Sequence, residues 1–152
     1  MKKVCISLVL LVASLSSFAQ NQLLGNWICK VVEMPNVVKT ENDSVVNINP
    51  EFLKTIEAEN RLFMEALLKG MLSSLVNGEM EFKQNEELVQ YKPSNKKTYK
   101  GKYKYNEAKK ELKVTDASGT QKFKVSFQDA NTLILDKADA KMGNMFMTFH
   151  RK

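Results

Sequence analysis

Tyr99-Lys100-Gly101-Lys102-Tyr103-Lys104-Tyr105 alternates lysine with a ring or a glycine at every step. A period of two sends successive side chains to opposite faces of an extended chain, so this stretch reads as a strand with one apolar and one solvated face. The same period recurs on either side. Met80 and Phe82 alternate with Glu79, Glu81 and Lys83, and Val89 and Tyr91 follow before Pro93. Leu112 and Val114 alternate with Glu111, Lys113 and Thr115, while Phe123, Val125 and Phe127 alternate with Lys122, Lys124 and Ser126. Leu133 and Leu135 form the next run, and Met145, Met147 and Phe149 share a face with Arg151. Near the start, Leu23 to Met34 reads as a strand with Trp27, Cys29 and Val31 on one face and Lys30 on the other.

The segments between these runs are short and rich in turn formers: Asn85-Glu86-Glu87, Ser94-Asn95, Asn106-Glu107, Ala117-Ser118-Gly119 and Asp129-Ala130-Asn131. Short connections force antiparallel neighbours. About eight strands in such a meander, each with one apolar face, predict a mainly β fold, an antiparallel up-and-down barrel or strongly curled sheet. Asn36 to Asn49 is polar apart from two Val pairs and reads as a loop carrying at most a short edge strand.

One or two helices interrupt the strands. Asn49-Pro50-Glu51 combines a capping side chain, a proline suited to the first helical position and an acid at the positive end of the dipole. Phe52, Ile56, Phe63, Leu67, Met71 and Leu75 then recur at three- or four-residue steps with one longer gap, and Asn77-Gly78 supplies the stop. A single rod would overhang a domain of this size, so a break is expected near Asn60-Arg61 or near Gly70. From Leu62 to Val76 the apolar face exceeds the stripe one sheet can cover. Coverage on two sides, a lid over a cavity, and a dimer or membrane contact would each account for it.

Length and charge bound the rest. The chain has 152 residues, 43% of them hydrophobic, which is one domain with a sizeable core. Residues 1–19 are expected to be a signal peptide, with basic Met1-Lys2-Lys3, an apolar Val4–Leu15 too short to span a bilayer, and a small-x-small site at Ser17-Phe18-Ala19. That leaves 20–152 as a single exported domain, periplasmic or extracellular. Removing Lys2 and Lys3 from a net charge of +6 leaves +4, from 21 basic against 17 acidic residues. Cys5 departs with the signal, and the remaining Cys29 reads as a small buried hydrophobe rather than a nucleophile.

Three short motifs carry a family resemblance. Gly25-Asn26-Trp27 at the start of the first strand is similar to the Gly-x-Trp of lipocalins. Met147-Thr148-Phe149-His150-Arg151 resembles the terminal strand of a small lipocalin-like domain of the calycin superfamily, and Gly101-Lys102-Tyr103 is similar to a Gly-x-Tyr found on a middle strand of bacterial members. The resemblance implies that Arg151 stacks on Trp27 to close one end of the barrel. It also implies that the insertion between strands one and two lies at the open mouth, where lipocalins carry a lid loop and the related fatty-acid-binding proteins a helical pair. The usual C-terminal helix has no counterpart, which implies a reduced member.

Candidate sites follow from the inward faces. Tyr103, Tyr105, Phe123, Phe127, Met147 and Phe149 are expected to line a barrel interior that is either filled or holds one small hydrophobic molecule. Phe63, Leu67 and Met71 are the candidate lid. No catalytic residue is assigned and no enzyme is expected, since the single His150 has no nucleophile or acid at a telling spacing. No cofactor or metal is expected; Met142, Met145, Met147 and His150 could together hold Cu(I), but a core role explains Met145 and Met147. Lys100, Lys102, Lys104, Lys122 and Lys124 form an outer stripe without aromatic platforms beside them, which argues against nucleic acid. The expected partners are therefore a small hydrophobic molecule, a second copy or another protein, with membrane-surface contact the remaining option.

Overall fold

The computed structural model describes residues 22–40, 42, 46–138 and 143–152. The expected signal peptide lies outside them.

The strands are β1 (Gly25–Met34), β2 (Val37–Thr40), β3 (Asn47–Ile48), β4 (Glu79–Phe82), β5 (Glu87–Lys92), β6 (Lys97–Asn106), β7 (Glu111–Asp116), β8 (Gly119–Asp129), β9 (Thr132–Lys137) and β10 (Met145–Arg151). Two helices, α1 (Pro50–Lys54) and α2 (Ala58–Leu75), separate β3 from β4. The strand order is β10-β9-β8-β7-β6-β5-β4-β1-β2-β3, and β10 also pairs with β1. That last pairing closes β1 and β4–β10 into an antiparallel barrel of eight strands, while β2 and β3 extend beyond it as an arm.

The turns explain the meander. In each of the five hairpins from β4 to β9, an Asn or Asp side chain accepts a backbone N–H two or three residues on. The pairs are Asn85 with Glu87, Asn95 with Lys97, Asn106 with Lys109, Asp116 with Ser118 and Asp129 with Asn131. Such turns reverse the chain locally, so each strand meets its sequence neighbour.

The core is a single cluster that occupies the barrel, with Trp27, Tyr103, Phe82, Leu88, Leu112, Leu133 and Leu135 fully buried, and continues outside it through Val37, Leu68 and Leu72. Two alternations are phased differently from the sequence reading. A register shift between Cys29 and Val31 inserts Lys30 as a bulge in β1. Trp27 and Cys29 point inward below it, but above it Val32 and Met34 are buried and Val31 is only half-buried. A bulge opposes two residues to one and so inverts the phase beyond it. In β5, Leu88 faces the core while Val89 and Tyr91 lie on the other face, because two adjacent apolar residues are compatible with either phase. The strand also begins at Gly25 rather than Leu23. The presumed loop after Met34 contains the two short strands of the arm.

The helix break falls at Thr55–Glu57, not near Asn60-Arg61 or Gly70. Asn49 caps α1 through Glu51 N–H at 2.9 Å. The chain then tightens, with Thr55 donating both its N–H and its hydroxyl to the Phe52 carbonyl. Gly70 stays inside α2, where a Cβ would meet open space, so nothing forces a bend there. Helix α2 packs on β1 and β2, burying Leu68 and Leu72, a contribution of about 1.5–3 kcal/mol each. It ends as expected at Asn77, whose positive φ of 62° reverses the chain. Coverage on two sides is not what the helix receives: Leu62, Phe63 and Leu67 are 80%, 69% and 48% exposed.

Candidate functional site: a cavity at the barrel mouth

The two ends of the barrel differ. At one end Arg151 lies over the Trp27 ring, its guanidinium carbon 4.3 Å from the ring centre. Its Nη1 donates to the Leu24 carbonyl at 2.7 Å, its Nη2 to the Gln22 carbonyl at 2.8 Å and its Nε to the Ala130 carbonyl at 3.3 Å. Trp27 donates its indole N–H to the Leu23 carbonyl at 2.8 Å, and Phe127 packs against the same indole at 6.2 Å. Gly25 completes the arrangement. Its φ is +114°, and a Cβ there would stand 2.9 Å from Arg151 Nη1. Glycine is therefore required both for the backbone conformation and for room beside the guanidinium. Together these groups seal the floor.

The opposite end is covered by the C-terminal turn of α2. The pairing of β1 with β4, which ends at Ile28 opposite Glu79, is carried on past the strand by Cys29. Cys29 N–H donates to the Gly78 carbonyl at 2.9 Å, and Asn77 N–H donates to the Cys29 carbonyl at 2.8 Å. The residues after the helix are thus fastened to β1, and Met71, Ser74 and Leu75 are held over the mouth. Beneath them is a half-open cavity of about 310 Å³. Its depth is lined by Cys29, Phe123, Leu135, Met147 and Phe149, all buried. Its rim carries Gln90, Lys92, Asp116, Gln121 and Lys137. Burial pushes the Cys29 thiol up to about 12, so it is neutral in the folded protein and adds apolar surface rather than reactivity.

The six aromatic and methionine candidates divide by height. Phe123, Met147 and Phe149 line the cavity. Tyr103, Tyr105 and Phe127 do not. Tyr103 is buried edge-on against Phe82 at 5.0 Å and donates its hydroxyl to the Lys83 carbonyl at 2.7 Å, so that hydroxyl is committed to the wall. Burial raises the Tyr103 and Tyr105 hydroxyls above their ordinary range. Phe127 belongs to the floor. Of the candidate lid residues only Met71 reaches the cavity; Phe63 and Leu67 face solvent from the earlier turns of α2. Sequence reasoning missed Cys29, Leu135, Gln121 and Lys137 as lining groups. The inward phase of Leu133, Leu135 and Lys137 was a usable signal for the last.

The remaining candidates do not converge. His150 is exposed on the outer face of β10, while Met145 and Met147 line the cavity; Met142 lies outside the described residues. Among the described residues no three His, Cys, Asp or Glu side chains could hold a metal ion. On the outer wall Lys104, Lys113 and Lys122 stand in direct register across β6, β7 and β8. The nearest carboxylate to Lys113 is Glu111 at 4.0 Å.

No family model matches the chain, and no curated protein is similar to it. A crystal structure of a DUF4847 family protein from Bacteroides vulgatus ATCC 8482 is similar at 11% identity, covering 84% of this chain and 92% of that one with a TM-score of 0.47. A likeness this distant carries no functional inference.

Proposed function

We propose that the chain is an exported, non-enzymatic lipocalin-like protein that holds a small hydrophobic molecule in the barrel mouth beneath the end of α2. The observation that carries this reading is the cavity of about 310 Å³, apolar in depth and polar at the rim. That size is at the lower end of small-molecule sites, and the combination of an apolar body with a few polar groups is typical of them. Eight strands are also the number at which a barrel interior can hold one small ligand. The Trp27–Arg151 stack at the far end supports the calycin resemblance and a stabilising role for that end. Export rests on the character of residues 1–19. The non-enzymatic reading rests on the placement of His150 outside the barrel and on the neutral thiol within it.

The second reading is an interaction module, favoured by Leu62, Phe63 and Leu67 exposed together on one stretch of α2. Native mass spectrometry of the purified 20–152 chain distinguishes the two. A retained small-molecule mass that disappears in Val114→Phe, which intrudes on the cavity, supports ligand binding. A dimer of apo mass supports the interaction module, and a ligand-free monomer that binds no added hydrophobic probe overturns the first reading.

A further inference from the structure

From the polar groups at the rim we infer that the ligand is an amphiphilic carboxylate, held tail inward with its anionic head at the barrel mouth on Lys137. This rests on the reading of the cavity as a ligand site and adds the chemistry and the orientation of what occupies it.

The orientation follows from where hydrogen bonds are available. In the depth of the cavity the wall is Cys29, Phe123, Leu135, Met147 and Phe149. None of these side chains is an ionic partner for a head group, and the thiol is held neutral by its burial. A charged or hydroxylated head pushed to that depth would lose its water without replacement, a penalty of several kcal/mol for an ion. The rim reverses the balance. It offers the amides of Gln90 and Gln121 and the ammonium of Lys137, while the Ser74 hydroxyl is already donated to the Met71 carbonyl at 2.7 Å. The apolar part therefore goes in and the head stays at the opening.

The sign of the head follows from which rim charges are already engaged. Glu79 is paired with Lys152 through both carboxylate oxygens, at 2.9 and 3.1 Å. Lys92 lies over the Tyr99 ring, 4.7 Å from its centre. Asp116 accepts the Ser118 N–H at 2.7 Å as part of the β7–β8 turn. Lys137 is different. It continues the inward phase of Leu133 and Leu135, is half-buried, and its ammonium donates to the neutral Gln121 amide oxygen at 3.0 Å. Among the described residues it has no ion pair. A half-buried ammonium with only a neutral acceptor gains most from a carboxylate, and Gln121 is positioned to turn its amide N–H toward the same group. The volume sets the tail. At roughly 30 Å³ for a group the size of a water molecule or methylene, the cavity accommodates about eight to ten carbons, which makes the ligand a medium-chain or compact aromatic acid rather than a long lipid.

The test compares three probes of equal length, decanoate, decanol and decylamine, on the 20–152 chain by isothermal titration calorimetry. Decanoate is expected to bind at least tenfold more tightly than either other probe. Lys137→Gln, which can keep the contact to Gln121, is expected to bring decanoate affinity down to the level of decanol measured on the same variant, and Lys137→Arg to retain the preference. Equal binding of decanoate and decanol, unaltered by Lys137→Gln, overturns the head-group assignment while the cavity reading stands. Preferential binding of decylamine overturns it in favour of a cationic head on Asp116. Failure of all three probes to bind overturns both the assignment and the cavity reading beneath it.

Discussion

Replacing Arg151 by alanine tests whether the two chain ends close the barrel, and the structure gives the size of the effect. The guanidinium over Trp27 contributes a cation–π attraction of about 0.5–2 kcal/mol. Its bonds to the Leu24 and Gln22 carbonyls come from a charged donor at 2.8 Å or less. Both carbonyls belong to half-buried residues that water can partly reach once the side chain is gone, so about 1 kcal/mol for each is appropriate rather than the full value for a charged bond. The sum is about 3 kcal/mol, equivalent to a fall of about 10 °C in Tm for a domain of this length. Arg151→Lys keeps the charge but loses the planar fork, and about half the loss is expected. The assay is urea denaturation followed by Trp27 fluorescence, since the chain contains a single tryptophan. The midpoint should move with little change in slope, because the same surface is exposed on unfolding. An Arg151→Ala midpoint equivalent to less than about 0.5 kcal/mol from the parent would refute the closure argument, that being the range of ordinary surface substitutions.

Three further outcomes are expected. Gly25→Ala should cost about 1–3 kcal/mol from its left-handed φ and the contact with Arg151 Nη1. In a double-mutant cycle, part of that loss should vanish in the Arg151→Ala background; full additivity would show that the contact plays no part. Lys113→Glu should raise stability by about 0.5–1 kcal/mol at low salt, since it replaces like charges facing Lys104 and Lys122 by opposite ones, with the gain shrinking as salt is added. Cys29 should resist thiol reagents at mildly alkaline pH and react fully in strong denaturant, because burial holds its thiol up to about 12; labelling of the folded protein at the rate of a free thiol would contradict the buried placement.

Alternation revealed which residues face inward and so made the barrel readable. It carried no information on height. Tyr105, Phe127 and Phe149 have the same phase in their strands, yet the first two lie away from the cavity and the third lines it. Height depends on how adjacent strands are staggered around the barrel, and that stagger is a property of pairing rather than of any one strand. The Lys30 bulge was hidden for a related reason. One extra residue in Gly25–Met34 leaves the apolar character of the strand unchanged while inverting its phase beyond Cys29. The helix start at Asn49-Pro50 and stop at Asn77-Gly78 were legible because capping is local. The break at Thr55 was not, since it depends on a hydroxyl folding back on the Phe52 carbonyl. The width of the apolar helix face was visible, but which part would be covered depended on where the arm of β2 and β3 lies.

The most direct test of ligand binding at the mouth uses the methionine methyl groups as reporters. Met71, Met80, Met145 and Met147 line the cavity, whereas Met34 and Met64 do not. Titrating decanoate into methyl-labelled 20–152 protein and recording the methionine resonances by NMR should shift the first four, with Met64 unmoved on the outside of the barrel. Shifts at Met64 with the cavity methionines unchanged, or no shifts at all, would contradict a ligand site beneath the end of α2.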